Sequence, residues 1–262
     1  MIRYLRLLKL FTTISLERQM AHPTSFFLAF VGKSLRMGLQ LVFWRVLFGV
    51  ARIPGWDLHA AIVFTAFYTT LETSMVITYH RNLFYYLPSM IKKGEFDFLL
   101  TKPIPTLFYS SLRIIDCMDA SSALVPLGLW IYIFSTRPEL FTLEFLGTGF
   151  LLLFFGFAIL FGVTVAIAAT AFWTLTSSGT GRAFEGLIRI ARYPIDLLPR
   201  PAMLVLTYGI PVAFLASLPS KILLGFAPQY FIIIGATFAV VFPLIGLFVW
   251  QKGLRRYTSA SS

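Results

Sequence analysis

Apolar residues run through this chain in long stretches, and polar residues collect in short breaks between them. About 20 mostly apolar residues suffice for a helix to cross a bilayer. Stretches of that kind predict spans over 25–50, 60–78, 107–135, 143–173, 203–218 and 230–250. The opening segment, MIRYLRLLKLFTTISLERQ, differs. Arg3, Arg6, Thr13 and Glu17 fall near one helical stripe with Leu and Ile opposite, so residues 1–22 are expected to lie in the membrane interface as an amphipathic helix. Charges among its leucines leave no clean apolar core for a secretory signal. Between 203 and 230, Pro211, Pro219 and Pro228 interrupt the pattern. Irregular backbone at membrane depth is tolerated only against protein or a watery cavity, so this region reads as a re-entrant hairpin before the last span. The expected fold is all-α: an integral membrane protein of six transmembrane helices, forming one domain over 1–262.

Composition strengthens this picture. The chain is 58% hydrophobic and 13% charged, whereas a soluble domain is about 45–50% apolar and about 25% charged. A net charge of +11 raises nucleic acid as a partner. The basic residues are instead spread along the breaks between spans, which fits topology signals and membrane lipids; no nucleic acid is expected. They are also asymmetric. One side takes Arg3, Arg6, Lys9, Arg18, Arg81, Lys92, Lys93, Lys102, Arg182, Arg189, Arg192, Arg200, Lys252, Arg255 and Arg256. The other takes Arg52, Arg137 and Lys221. Fifteen against three places both termini in the cytoplasm by the positive-inside rule. The two long polar breaks, 81–106 and 174–200, then become cytoplasmic inserts.

Charges inside spans are the first candidate sites, because each costs about 2.5–3.5 kcal/mol at the bilayer centre. Lys33 and Arg36 stand one turn apart in the first span, and Glu72 lies in the second. Glu72 would pair with Lys33 or Arg36, or line a translocation path. Asp116 and Asp119 are expected to snorkel or to pair with Arg113. Ala158, Gly162, Ala166 and Thr170 make a small-residue ridge on which another helix can pack closely. Cys117 is the single cysteine, and His22, His59 and His80 have no ligand spacing, so no metal site is read. No catalytic constellation is legible either.

The break IKKGEFDFLLTKPIPTLF, residues 91–108, has more structure in it than a solvated loop needs. Gly94 would stop one helix. Glu95 and Asp97 favour the start of the next, where acids complement the dipole. Phe96, Phe98, Leu99 and Leu100 supply an apolar face, and Pro103 and Pro105 end it. A short, stiff, amphipathic helix on the cytoplasmic surface is expected.

This stretch resembles the signature of the bacterial ABC exporter permeases of the type-2 superfamily. The match is Gly94, Glu95, Phe96, Asp97, Leu99, Leu100, Lys102 and Pro103, with Phe96 where an aliphatic residue is more usual. FWT at 172–174, RYPIDLLPR at 192–200 and LTYGIPVAFLASLPSKILLG at 206–225 extend the resemblance over nearly the whole chain. It implies the transmembrane half of an ATP-driven exporter in the bacterial inner membrane, paired with an identical or sister permease. Each half would dock on a separate ABC ATPase subunit, with Lys92, Lys93, Gly94, Glu95, Asp97, Lys102 and Pro103 as the coupling loop. A P-loop needs Gly-x-x-x-x-Gly-Lys-Ser/Thr, and no such string occurs. SSGTGRAFEG reads instead as the end of the long fourth helix. No cofactor is expected on this chain, which is not read as an enzyme; ATP and Mg would sit on the partner. The competing classes are weaker. An ion-gradient transporter would need a midplane ion site, for which Glu72 alone is placed, and a lipid-modifying enzyme would need a clustered acid or nucleophile set.

Overall fold

The computed structural model describes residues 2–20, 23–51, 53–174 and 178–257. Apart from one bridge between Ile53 and Trp56, these residues are helix, turn and loop. In chain order the α-helices of five residues or more are α1 (Ile2–Met20), α2 (Pro23–Val50), α3 (Leu58–Lys92), α4 (Glu95–Leu100), α5 (Thr106–Leu112), α6 (Ser121–Thr136), α7 (Leu143–Thr174), α8 (Ser178–Ile190), α9 (Arg200–Leu204), α10 (Ser217–Leu223) and α11 (Tyr230–Arg256). Four contain a stretch long and apolar enough to cross a membrane: α2, α3, α7 and α11.

Capping side chains start two of these helices. The Asp57 carboxylate accepts the Ala60 N–H at 2.7 Å, opening α3, and the Thr142 hydroxyl accepts the Phe145 N–H at 3.1 Å, opening α7. The 35 residues of α3 extend about 52 Å at 1.5 Å each, well beyond a hydrocarbon core of about 30 Å. The first expected insert, 81–106, therefore begins inside a helix, and α4 follows the far end of α3.

α7 and α11 form the tightest packing in the fold. A Cβ placed on Gly162 would lie 2.3 Å from the Phe242 carbonyl carbon, and one on Gly246 would lie 2.6 Å from the Gly162 oxygen. The two backbones touch where these glycines cross, as the small-residue ridge predicts for Gly162. Gly253 repeats the device lower down, against the Phe172 ring at 2.6 Å.

Three segments depart from the sequence expectation. The span expected over 107–135 is interrupted between α5 and α6. The buried Asn82 amide donates to the Ser111 and Ile114 carbonyls at 2.9 and 2.7 Å, and its oxygen accepts the Ile114 N–H at 3.2 Å. These bonds satisfy the backbone outside a helix. The span expected over 203–218 is a broken run instead: α9, a wider π turn Val205–Gly209, a short 3-10 turn Val212–Phe214, then α10. Pro211 cannot donate a backbone hydrogen bond. All of residues 211–220 are nonetheless buried, and Gly156 in the middle of α7 faces the Phe214 oxygen and the Leu215 backbone.

The third segment is 174–200, expected as a cytoplasmic insert. SSGTGRAFEG does not end α7; its described part belongs to α8, a separate helix. The Phe184 ring stacks on Phe84 at 4.8 Å, and the Tyr68 hydroxyl donates to the Ile188 carbonyl at 3.2 Å, so the chain through α8 heads from the Phe84 level of α3 toward its Tyr68 level. RYPID then continues in the same direction. Arg192 reaches Glu72, and Asp196 accepts the Trp56 indole N–H at 2.9 Å and pairs with Lys221 at 2.6 Å. The segment thus passes from the Lys92 end of α3 to its Asp57 end. Its polar residues alone made it read as an insert outside the membrane. Phe184, Ile188, Ala191 and Ile195 are buried, and Arg189 is exposed.

Candidate functional site

At the far end of α3 the chain turns on Gly94, whose φ of 72° lies in the left-handed region. Gly94 carries that conformation without a Cβ penalty and separates α3 from α4, as a helix stop should. Glu95 and Asp97 stand in the first turn of α4. Phe96 is 0% exposed and Leu99 is buried, whereas Phe98 is 72% exposed and Leu100 faces outward too. The expected apolar face is therefore split in two. One half anchors the helix and the other stands out, among the exposed Lys92, Lys93, Glu95, Lys102 and Pro103.

The anchor is aromatic. Phe96 meets Phe172 and Tyr257 edge to face, each with centroids 5.2 Å apart, and Phe172 meets Trp250 at 5.1 Å. Such edge-to-face pairs add about 0.5–1.5 kcal/mol beyond area burial. The Trp250 indole N–H donates to the Thr106 hydroxyl at 3.3 Å, which fixes the entry to α5. Two distant parts of the chain thus hold one six-residue helix: the FWT end of α7, and the last turns of α11 with Tyr257 directly after them. Burial, with the Asp97 carboxylate close by, pushes the Tyr257 hydroxyl up to about 12, so Tyr257 stays neutral. Lys102 leans over the Tyr109 ring at 5.3 Å.

α1 lies beside this platform. Tyr4 meets Phe108 at 5.2 Å, Phe11 meets Tyr109 at 5.7 Å, and the buried Ser15 hydroxyl accepts the Ile115 N–H at 3.2 Å. Arg6 and Lys9 remain exposed on α1. The described starts and ends of the chain, α1 and the close of α11, therefore share one end of the fold with α4.

The second candidate, Lys33, Arg36 and Glu72, is a layer of ion pairs rather than one pair. Arg36 binds one Glu72 oxygen at 2.9 Å and Arg192 binds the other at 3.3 Å. Lys33 does not reach Glu72. It pairs with Asp119 and donates to the Ser122 hydroxyl at 2.6 Å. Asp116 pairs with Arg81 at 2.8 Å and accepts the Asp119 N–H at 3.3 Å. The expectation that Arg113 would serve Asp116 or Asp119 fails. Arg113 closes α5 and turns to the Met90 sulfur at 3.4 Å and the Tyr109 ring at 5.5 Å, while the break after α5 swings both aspartates back onto α2 and α3. Glu72 lies fourteen residues along α3 from Leu58, about 21 Å from that end. The layer therefore lies well inside the apolar run of α3. Just beyond it α3 widens into two π turns, Val76–His80 and Asn82–Tyr86, on either side of Arg81. π turns are frequent at functional sites.

The family model for ABC-2 family transporter proteins matches residues 35–261. The chain belongs to that family. It is a membrane protein of the ABC-2 transporters, and its apolar helices are transmembrane elements of such a transporter. No curated protein and no solved structure matches the chain significantly. In this ABC-2 protein, sequence reasoning found α4 and its charged residues but missed Phe172, Trp250 and Tyr257 as their support. Nothing in local pattern links those positions. It also missed Arg192 as the second partner of Glu72, because RYPID was read as lying outside the membrane. A basic residue in a segment with a buried amphipathic stripe was the available signal.

Proposed function

We propose that this protein is the permease subunit of an ATP-driven exporter, and that a separate ABC ATPase docks on α4. The observation that carries this reading is the split face of α4. Phe96 and Leu99 lock the helix to the ends of α7 and α11, while Phe98 and Leu100 present apolar surface within a charged rim. Exposed aromatic anchors inside a polar ring are the usual shape of a docking hot spot. A push on α4 passes directly into two long helices through Phe172 and Trp250, and into α3 across Gly94. Family membership supports an ATPase partner. ATP and Mg belong to that partner, and the permease itself performs no hydrolysis.

The same reading sets the surroundings. Basic residues gather at the α4 end, with Arg6, Lys9, Lys92, Lys93, Lys102, Lys252, Arg255 and Arg256 against Arg45, Arg137, Arg200 and Lys221 at the other. This bias survives the removal of Arg189 and Arg192 from the count and the placing of Arg200 at the other end, so it supports a cytoplasmic α4 and cytoplasmic chain ends in the inner membrane. The buried turn at Pro211–Leu215, entered and left from the Trp56 end, acts as a re-entrant hairpin. A second permease, identical or sister, completes the path. Glu72, bound by two arginines, holds α2, α3 and the RYPID segment together at the wall of that path and does not serve as a free ion site.

The test is recovery of the tagged chain from its native membranes in mild detergent, followed by identification of what accompanies it. A P-loop ATPase that is lost with Phe98→Ala and Leu100→Ala supports the proposal. A stable complex without an ATPase, or an ATPase that stays bound to the double variant, overturns the docking assignment.

A further inference from the structure

α2 is pinned at two levels, and between them only Met37 and Leu41 rest on the core. Near its start, Lys33 and Arg36 tie it to Asp119, Ser122 and Glu72. Near its end, the buried Trp44 indole N–H donates to the Thr65 hydroxyl at 2.9 Å. None of its most apolar stretch is buried. A groove of about 600 Å³ separates it from α3 and α6. Its α2 wall is a single helical stripe, Phe30, Ser34, Gly38, Leu41 and Arg45, and the facing wall includes Ile62, Gly128 and Tyr132.

Two features say what the groove takes. First, a Cβ built on Gly38 or on Gly128 would meet no atom within 4 Å. These glycines do not draw helices together as Gly162 and Gly246 do; they hollow out the slot. From Phe30 to Arg45 the slot runs about 22 Å along the helix, longer than one leaflet of a hydrocarbon core of about 30 Å. Second, the one cationic group lining it is Arg45, at the end near Trp56. Among the described residues Arg45 makes no ion pair or hydrogen bond, and it is exposed. A cation five residues inside the end of a transmembrane helix requires an anion or headgroup water within reach. An apolar slot that ends at an unpaired guanidinium is complementary to a long chain that ends in an anion.

We propose that the α2–α3–α6 groove is a binding site for an anionic phospholipid, with one acyl chain along Gly38 and Gly128 and the phosphate on Arg45. The lipid comes from the leaflet at the Trp56 end, opposite α4. It fills the wall behind α2 and keeps that helix at its distance from α6. This site is independent of ATPase docking and stands even where the exporter reading fails.

The experiment reconstitutes the full chain in phosphatidylethanolamine vesicles containing phosphatidylglycerol with a photoactivatable acyl chain, and maps the adducts by mass spectrometry. Adducts within 30–45 and 124–132 are expected. Arg45→Gln should lower that labelling about fivefold, the effect of one basic residue near an anionic surface, and should leave labelling by a photoactivatable phosphatidylcholine unchanged. Gly38→Leu with Gly128→Leu should remove both signals, since the open space at each position accommodates the new side chain. Adducts spread evenly over the exposed face of α2, unchanged in both variants, overturn the proposal. So does chain-to-chain crosslinking from a photoreactive residue placed at Gly128, which would put a second copy in the groove.

Discussion

Phe96 of α4 meets Phe172 of α7 edge to face, with ring centroids 5.2 Å apart and planes at 70°. They are 76 positions apart in the chain, yet this contact decides how the candidate docking helix stands. Phe96→Ala should destabilise the fold by about 3–5 kcal/mol, the usual effect of removing a buried phenylalanine. Phe98→Ala should change thermal stability by less than about 0.5 kcal/mol, as exposed substitutions do, while weakening ATPase association. Thermal unfolding of the two variants in detergent, set beside ATPase pull-down, separates the supporting role from the docking role. Equal stability losses would merge them and remove the basis for the split face.

Glu72 supports a second asymmetry. Its side chain is 14% exposed and holds two arginines, whereas Arg36 is 47% exposed and holds one carboxylate. Removing one partner of a buried ion pair costs about 3–5 kcal/mol because the other charge remains. Loss of Arg36 still leaves Glu72 held by Arg192 at 3.3 Å. Glu72→Gln should therefore lower stability far more than Arg36→Gln, and Arg192→Gln should fall between them. An Arg36→Gln variant as unstable as Glu72→Gln would show that the layer is not organised around Glu72.

The two candidates were legible to different degrees, for a physical reason. α4 is written locally: Gly94 supplies the left-handed stop, Glu95 and Asp97 the first turn, and Pro103 the end, all within ten residues. The partners of Glu72 are written in tertiary contacts. Arg36 was a candidate from span pairing, but Arg192 arrives through α8, whose alternating charges mimic a surface helix while its Phe184 and Ile188 pack against the bundle. The break between α5 and α6 was likewise hidden, because Asn82, thirty residues upstream, captures the backbone that would have continued the helix. Periodicity reports which face of a helix is apolar, but not which distant polar group will interrupt it.

Gly94 gives a sharp backbone test. A β-branched residue at φ 72° is strained by about 1–2 kcal/mol, whereas Asn tolerates that region. Gly94→Val should reduce ATPase-coupled transport and Gly94→Asn should retain most of it, with both proteins still inserted. A transport assay in inverted vesicles reads the difference directly. Normal transport by Gly94→Val would show that the turn between α3 and α4 does not need its left-handed geometry.

Tyr257 provides a pH signature of the same platform. Burial, with the Asp97 charge beside it, raises its hydroxyl from the ordinary 10 to about 12. A raised folded-state value means that the fold favours the protonated phenol. The stabilisation is complete below about pH 10 and is lost as pH rises from there through 12, because the unfolded chain releases the proton first. Tyr257→Phe cannot ionise. Its stability should decline less steeply between pH 10 and 12 than that of the parent chain, as followed by tryptophan fluorescence with denaturant at each pH. Parallel curves for the two proteins would show that Tyr257 does not sit against Asp97, and would detach the end of α11 from α4.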